Sequence, residues 1–531
     1  MRRFADLLER LTFTPSRTAK LRLIEAYLAA APDPDRGWAL AAITRDLRLD
    51  AVKPAMLRAL AVERVDHELF ALSYDFVGDL AETIALIWPA PAGPPADPGL
   101  GTVIAALQAA SRREAPRRVE ALLDQLDGSG RLALIKLVTG GLRVGVSARL
   151  AKQALADFAG RDVAEIEEIW HDQAPPYRDL FAWAAGAAPR PAPRMRLGFR
   201  PVMLAQPLEE RALEALDPAD FAAEWKWDGI RVQASADGTE RRLYSRTGDD
   251  LAPAFPDLVA ALDFDGSLDG ELLVARPGGL RAGTASFADL QQRLNRKTVT
   301  DRHAMRYPAF LRLYDLLRDG EEDLRPLPFA TRRARLEAFA ARLDPDRFDL
   351  SALLSFADWP ALAALRSAPP DPVIEGVMLK RRDSPYLAGR PKGPWFKWKR
   401  DPHVIDAVLM YAQRGHGKRS GFYSDYTFGV WGPEGSLLPV GKAYFGFTDA
   451  ELTEIDRFVR ANTTERFGPV RAVRAEPDHG LVFEVAFEGL ARSTRHRSGL
   501  AMRFPRISRL RWDKPPREAD RIETLEALLE P

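Results

Sequence analysis

The chain of 531 residues, 46% of them hydrophobic, is long enough for about three or four domains, each with its own core. Lys and Arg number 76 and Asp and Glu 75, a formal net charge of +1, so any basic surface must be local and overall charge points to neither a nucleic-acid nor a membrane partner. The absence of cysteine excludes thiol nucleophiles, disulfides and cysteine-based zinc sites, and the seven His show no H-E-x-x-H spacing; with no apolar run of about 18 residues, the composition reads as a soluble cytoplasmic protein.

Residues 1 to about 165 carry helical periodicity, as in LRLIEAYLAAA (21–31), LAETIALIW (80–88) and VEALLDQL (119–126), where apolar residues recur at three and four spacing. Pro89, Pro91, Pro94, Pro95 and Pro98 cannot continue a helix and predict an exposed loop. A second cluster, Pro175, Pro176, Pro189, Pro191, Pro193, Pro201 and Pro207, reads as a semi-rigid linker. The expected division is an all-α domain over 1–175, a proline-rich linker over 176–205, an α+β domain over 206–401 and a β-barrel over 402–531. The α+β reading rests on GIRVQAS and RRLYSR joined through Asp237-Gly238, with the helical TRRARLEAFAARL (331–343) further on. The barrel reading rests on VIDAVLMYA, YTFGVWG, LLPVGKAYFG and LVFEVAF.

The richest stretch is Glu224-Trp225-Lys226-Trp227-Asp228-Gly229-Ile230-Arg231. A lysine between two tryptophans is expected to be partly desolvated, which favours the neutral amine that can attack phosphorus. Lys226 is therefore the candidate nucleophile, Asp228-Gly229 a sharp turn, and Arg231 a fixed charge aimed at the phosphate; the plainer alternative is an edge-strand lysine before an ordinary turn. Further on, Lys397 and Lys399 are two apart in a strand and should share one face, with Phe396 and Trp398 turned into a core. Glu271 and Glu375 each adjoin a glycine at a strand start, and oxygen-only ligation fits magnesium.

These residues belong to an ordered series: Lys226 to Arg231, Ser245-Arg246-Thr247-Gly248, Leu268-Asp269-Gly270-Glu271-Leu272, Leu313-Tyr314-Asp315-Leu316-Leu317, Ile374 to Lys380, and Trp395 to Lys399, followed by Arg503-Phe504-Pro505-Arg506 and Arg511-Trp512-Asp513-Lys514. The series resembles the nucleotidyltransferase motifs and closing motif of ATP-dependent DNA ligases, and GDLAET (78–83) and LIKLVTGGLRVGVS (134–147) resemble that family's helical DNA-binding domain. The resemblance implies a helical DNA-binding domain, an adenylyltransferase domain and a C-terminal OB-fold, acting as a monomer on nicked double-stranded DNA with ATP and Mg2+, in DNA repair. It implies that Lys226 takes AMP covalently and that Glu224 meets adenine through its main chain. Tyr314 would stack on the base where the family usually has phenylalanine. Arg231, Arg246 and Lys380 would line the nucleotide, with Arg390 beside them although its spacing to Lys397 is one residue long. Lys397 and Lys399 would face the triphosphate, Glu271 the ribose or metal and Glu375 the metal, while Arg511 and Lys514 would swing over the nucleotide. An RNA ligase or capping-type guanylyltransferase would share the middle motifs without the helical domain, and an inactive DNA clamp would have lost the nucleophile or a carboxylate.

Two basic runs bear on DNA. Residues 131–156 hold Arg131, Lys136, Arg143, Arg149 and Lys152 and no acid; residues 492–514 hold Arg492, Arg495, Arg497, Arg503, Arg506, Arg509, Arg511 and Lys514 against Asp513 alone. Thr139-Gly140-Gly141 and Gly145 beside the first run would let backbone approach phosphate.

Overall fold

The computed structural model describes residues 1–49, 51–191, 197–294, 296, 299–415, 421–494 and 496–529, so Pro193 and Arg495 lie outside the described residues. The chain forms two compact units, one of residues 1–161, 175–189 and 402–531, the other of residues 162–174 and 190–401.

In the first unit, helices Arg17–Ala30, Leu80–Ile87 and Ala115–Gln125 fall where the apolar spacing predicts them. Ser16 and Asp79 start two of them by accepting the N–H of Ala19 and Glu82, donors that an uncapped helix leaves orphaned. The prolines from 89 to 98 occupy the connection between Ile87 and the next helix, Leu100–Gln108. Helix Gly128–Thr139 is capped by Asp127 and stopped by Gly140 at φ 68°, a left-handed residue that closes the last turn. The turn after it leads to Ser147, which caps helix Ala148–Ala159.

The C-terminal part of this unit holds, among the described residues, a seven-stranded sheet that includes His403–Arg414, Tyr423–Trp431, Leu437–Ala443 and Val482–Phe487. Period-two alternation sends Ile405, Ala407 and Leu409 into a core with Phe428, Phe483 and Val485, closed by Leu452, Ile455 and Val459 of helix Asp449–Ala461. The other face of the first strand carries Asp406 and Val408, the latter packed with Trp431 and Val482.

In the second unit, a five-stranded sheet runs in the order Gln206–Pro207, Trp395–Lys399, Ile374–Arg381, Phe221–Trp227, Leu353–Leu354 among the described residues. A second sheet is built on Arg241–Ser245, Ile230–Asp237, Asp265–Val274 and Ala309–Asp319, with helix Phe329–Ala340 packed beside it. Asp228-Gly229 therefore carries the chain from one sheet to the other. A Cβ on Gly229 would lie 2.6 Å from the Leu272 carbonyl oxygen, so glycine is needed there for close approach to the neighbouring strand. The stretch 176–205, proline-rich enough to predict a linker, is divided between the two units near residue 190. Its end is no free tether: Leu197, Phe199, Val202 and Met203 are buried in the second unit, because the apolar residues between the prolines gain more by packing than by solvation.

Candidate active site

Three neighbouring strands of the five-stranded sheet present one polar face. Phe221, Ala223, Val377, Leu379, Phe396 and Trp398 alternate into a core on the other side. That leaves Glu224 and Lys226, Met378 and Lys380, and Lys397 and Lys399 on the polar face. The register aligns them in rows: Lys226 and Lys399 flank Gly376, and Glu224 and Lys397 flank Met378. Gly376 is pressed against the Trp398 carbonyl, where a Cβ would sit only 2.2 Å away. A shift of register between Ile374 and Gly376 leaves Glu375 as an extra residue opposite the lysine strand, an irregularity that re-aims a side chain. Glu375 Oε2 accepts a hydrogen bond from Lys226 Nζ and lies 3.7 Å from Lys399 Nζ.

This geometry corrects the desolvation argument for Lys226. Its two tryptophans stand on the opposite side of the strand: Trp225 packs on the Phe221 cluster and Trp227 beside Leu273 and Phe310, with the Arg312 guanidinium 3.9 Å from the Trp227 ring. Residues adjacent in a strand point apart, so the tryptophans anchor the strand while a carboxylate holds the amine.

The second sheet supplies the other wall. Glu271 lies opposite Arg231 in the ladder, and burial pushes its carboxyl up to about 7, helped by the like charges of Glu375 and Asp269 and resisted by Lys226 and Arg231. Arg231 does not reach into the site as a free cation. It binds Asp269 through Nε at 3.0 Å and Nη2 at 2.6 Å, and donates to the Met203 carbonyl at 2.5 Å and Tyr386 Oη at 3.0 Å. Tyr386 in turn donates to Asp269 at 2.6 Å. Lys380 is likewise enclosed. Its Nζ donates to Glu224 and to the Tyr314 carbonyl, each at 3.1 Å, and is ringed by Tyr314, Phe329 and Trp395 at 4.6–4.9 Å. Burial lowers the Lys380 amine and raises the Glu224 carboxyl from their ordinary values. Between these two fixed cations sits the half-buried Tyr314 ring, with Arg231 5.6 Å from its centroid.

Other cations gather on this side: Arg246, Arg390, Lys397 and Lys399. Burial, then Lys399, Arg390, Lys226 and Arg246, hold the Lys397 amine below its ordinary value, which records how closely like charges crowd here. Arg390, the residue whose spacing looked one too long, is part of that crowd. Opposite charge relieves such repulsion. Among the described residues no group of three His, Asp or Glu converges as a metal site; the pair Glu271 and Glu375, both acting on Lys226, is what the site has. Sequence reasoning missed Asp269, quoted in its motif without a role, and Tyr386, which together lock Arg231; the acidic residue two positions before Glu271 on the same strand face was the available signal for Asp269.

The basic runs of the first unit fare differently. Arg131 is 4% exposed and donates to the carbonyls of Leu123, Trp88 and Pro89 at 2.7–3.0 Å, and Lys152 is buried as well. Lys136 pairs with Glu82 at 3.2 Å, so the exposed cation of that run beside the glycines is Arg143. A lysine the sequence did not single out, Lys20, lies beneath the glycine turn and donates to the carbonyls of Val144 at 2.6 Å and Gly145 at 3.1 Å. Near the C-terminus, Arg511 and Lys514 meet on Asp406, at 3.2 and 2.7 Å from one oxygen, while Arg492, Arg497 and Arg509 are exposed.

Residues 202–399 match the model of the ATP dependent DNA ligase domain, and residues 419–514 that of the ATP dependent DNA ligase C terminal region. A probable DNA ligase of Koribacter versatilis is 37% identical over 429 residues, 74% of this chain and 71% of that protein. A probable DNA ligase of Anaeromyxobacter sp. (strain Fw109-5) is 36% identical over 472 residues, 85% of this chain and 87% of the relative. The solved structure of Pmar-Lig_PreS3 shares the fold across 96% of this chain and 99% of its own, with a TM-score of 0.61 at 16% identity. The chain thus belongs to the ATP-dependent DNA ligase family.

Proposed function

We propose that this ligase seals nicks in duplex DNA through a Lys226–AMP intermediate. The observation that carries the reading is the crowd of Arg246, Arg390, Lys397 and Lys399 about one lysine and two carboxylates, a site shaped in charge for a triphosphate. Lys226 Nζ attacks the α-phosphorus of ATP, pyrophosphate leaves, AMP passes to a 5′-phosphate, and a 3′-hydroxyl displaces it. Attack needs the nitrogen lone pair, so the Lys226 proton must leave and the amine must part from Glu375, the carboxylate it is bonded to and so the base at hand. Lys397 and Lys399 face the developing charge on phosphoryl oxygens. Tyr314, stiffened by Lys380 and Arg231, offers its ring to adenine. Arg231 acts as a wall and not as a phosphate ligand, since most of its donors are taken by Asp269, Met203 and Tyr386.

Magnesium commonly takes one or two carboxylates and fills its shell with water and phosphate oxygens, so Glu271 and Glu375 suffice as its protein ligands. When bound it would neutralise phosphate charge. The limits read from the sequence, 1–175, 176–205, 206–401 and 402–531, are proposed as helical DNA-binding domain, linker, adenylyltransferase and OB-fold. Arg511 and Lys514 belong to the last and orient the leaving pyrophosphate. We read the protein as a monomeric, cytoplasmic repair enzyme; no helix among the described residues is long and apolar enough to cross a membrane.

The test is a labelled nicked duplex incubated with the protein, ATP and magnesium. Sealing that requires ATP, with transient AMP transfer to protein and then to the 5′ end, is expected. Transfer of GMP from GTP with no sealing would contradict the reading in favour of a guanylyltransferase.

A further inference from the structure

We infer that Asp406 is the positioning residue for the closing-motif cations, holding Arg511 and Lys514 as one unit for the attack on ATP. The inference rests on the proposed role of those two residues and adds the group that sets their geometry. Asp406 Oδ2 receives Arg511 Nη1 at 3.2 Å and Lys514 Nζ at 2.7 Å, across sequence separations of 105 and 108 residues. Its other oxygen is buried without a hydrogen-bond partner, so the carboxylate directs its charge at these two cations. The side chain is only 13% exposed, which strengthens each interaction relative to a surface pair.

The backbone at Asp406 is fastened on both sides. Its N–H donates to the Asp520 carboxylate at 2.7 Å and its carbonyl accepts the Asp520 N–H at 2.9 Å. Within the sheet it pairs with Glu484, which pairs with Arg509, so the acid and the closing-motif strand share one face of one ladder. Asp513 is a different kind of partner. It binds Arg511 Nε and Nη2, each at 3.0 Å, but its side chain is 59% exposed and is free to give way to an incoming anion.

Donor accounting favours positioning over blockade. Arg511 spends one Nη1 hydrogen on Asp406 and Lys514 one of its three ammonium hydrogens, which leaves both with donors for phosphate oxygens while Asp406 stays in place. A structural tie between sheet and C-terminal segment needs no such convergence, because the two Asp520 hydrogen bonds already supply it.

The experiment compares Asp406→Asn, Arg511→Ala, Lys514→Met and the Asp406→Asn/Lys514→Met double variant in two half-reactions, enzyme adenylylation over a range of ATP concentrations and sealing of a pre-adenylylated nick. Loss of a charge-assisted pair should slow adenylylation by Asp406→Asn about tenfold and leave sealing of the pre-adenylylated nick within about twofold. The double variant should be little slower than Lys514→Met alone, the signature of two groups acting as one. Normal adenylylation by Asp406→Asn beside slow Arg511→Ala and Lys514→Met overturns the inference and spares the closing-motif reading. Normal adenylylation by Arg511→Ala and Lys514→Met overturns that reading and the inference with it. Equal loss in both half-reactions makes Asp406 merely structural and also overturns the inference. Should Asp406→Asn fail to fold, Asp406→Glu keeps the charge on a longer arm and must show the same step-selective loss; a wild-type adenylylation rate in that variant overturns the inference.

Discussion

Two regions of the molecule treat their positive charge in opposite ways. In residues 190–401, Arg246, Arg390, Lys397 and Lys399 gather around Lys226 against the pair Glu271 and Glu375, a concentration that costs stability and that the proposed function assigns to a ligand. In the helical part of the other unit, a run of five cations without a single acid loses three of them to folding: Arg131 caps three carbonyls, Lys152 is buried, and Lys136 meets Glu82. Charge in a sequence is thus not charge on a surface. A cation counts toward binding only where the fold leaves it crowded by its own kind or open to solvent.

The largest effect should come from the centre of the crowded region. Lys226→Ala and Lys226→Arg should both lose covalent AMP transfer entirely, because a guanidinium keeps its proton and cannot attack. Retained labelling of the arginine variant would show that the charge matters there and the nucleophile lies elsewhere. Next in size, Glu375→Ala should slow adenylylation about a hundredfold, as removal of one preorganised transition-state partner does. The titration to run beside it varies magnesium, and an unchanged rate with unchanged metal dependence would remove Glu375 from the site.

Arg131→Met sharpens the contrast from the other side. It should lower stability by about 2 to 3 kcal/mol, since three carbonyls, two of them in buried hydrogen bonds, lose their donor, while salt-dependent DNA binding by the folded protein is unchanged. A denaturant midpoint equal to wild type with weakened DNA binding would return Arg131 to the phosphate grip.

Glu271 carries a pH signature. Its carboxyl lies at about 7 in the folded protein against an ordinary 4.5, so its stabilising contribution is full below 4.5 and is lost as pH rises through 7. In metal-free protein, Glu271→Gln should therefore be more stable than wild type at pH 8 by about 1 to 2 kcal/mol after allowance for solvent screening, a gain that vanishes toward pH 4.5. Thermal melts at both pH values check it, and a constant difference would mean the carboxyl is not held up by burial. Smallest is Arg143→Ala, which should weaken binding to nicked duplex and reduce the slope of log affinity against log salt by about 0.9, one phosphate contact. An unaltered slope would leave the glycine turn without a role in DNA contact.

What could be read in the sequence was local. Lys397 and Lys399 share a face with Phe396 and Trp398 turned inward because period-two alternation needs no distant partner. The same rule places Trp225 and Trp227 away from Lys226, and following it would have replaced the desolvation argument. Other features depend on contacts far along the chain. Glu375 reaches Lys226 through a register shift between strands 149 residues apart, and Arg231 is tied down by Met203, Asp269 and Tyr386, three separate segments. Arg131 vanishes from the surface because loop carbonyls at Trp88 and Pro89 happen to face it. Helix positions followed from apolar spacing, whereas the burial of Leu197, Phe199, Val202 and Met203 at the end of the proline-rich stretch did not, since it is decided by the sheets they cover.

The central claim is that the cation-crowded face exists to load AMP on one amine. The most direct measurement is to incubate the full chain with α-labelled ATP and magnesium, digest it, and identify the labelled residue by mass spectrometry. An acid-labile adduct confined to the peptide bearing Lys226 is the expected result. Label on Lys397, Lys399 or any other residue, with Lys226 unmodified, would contradict it.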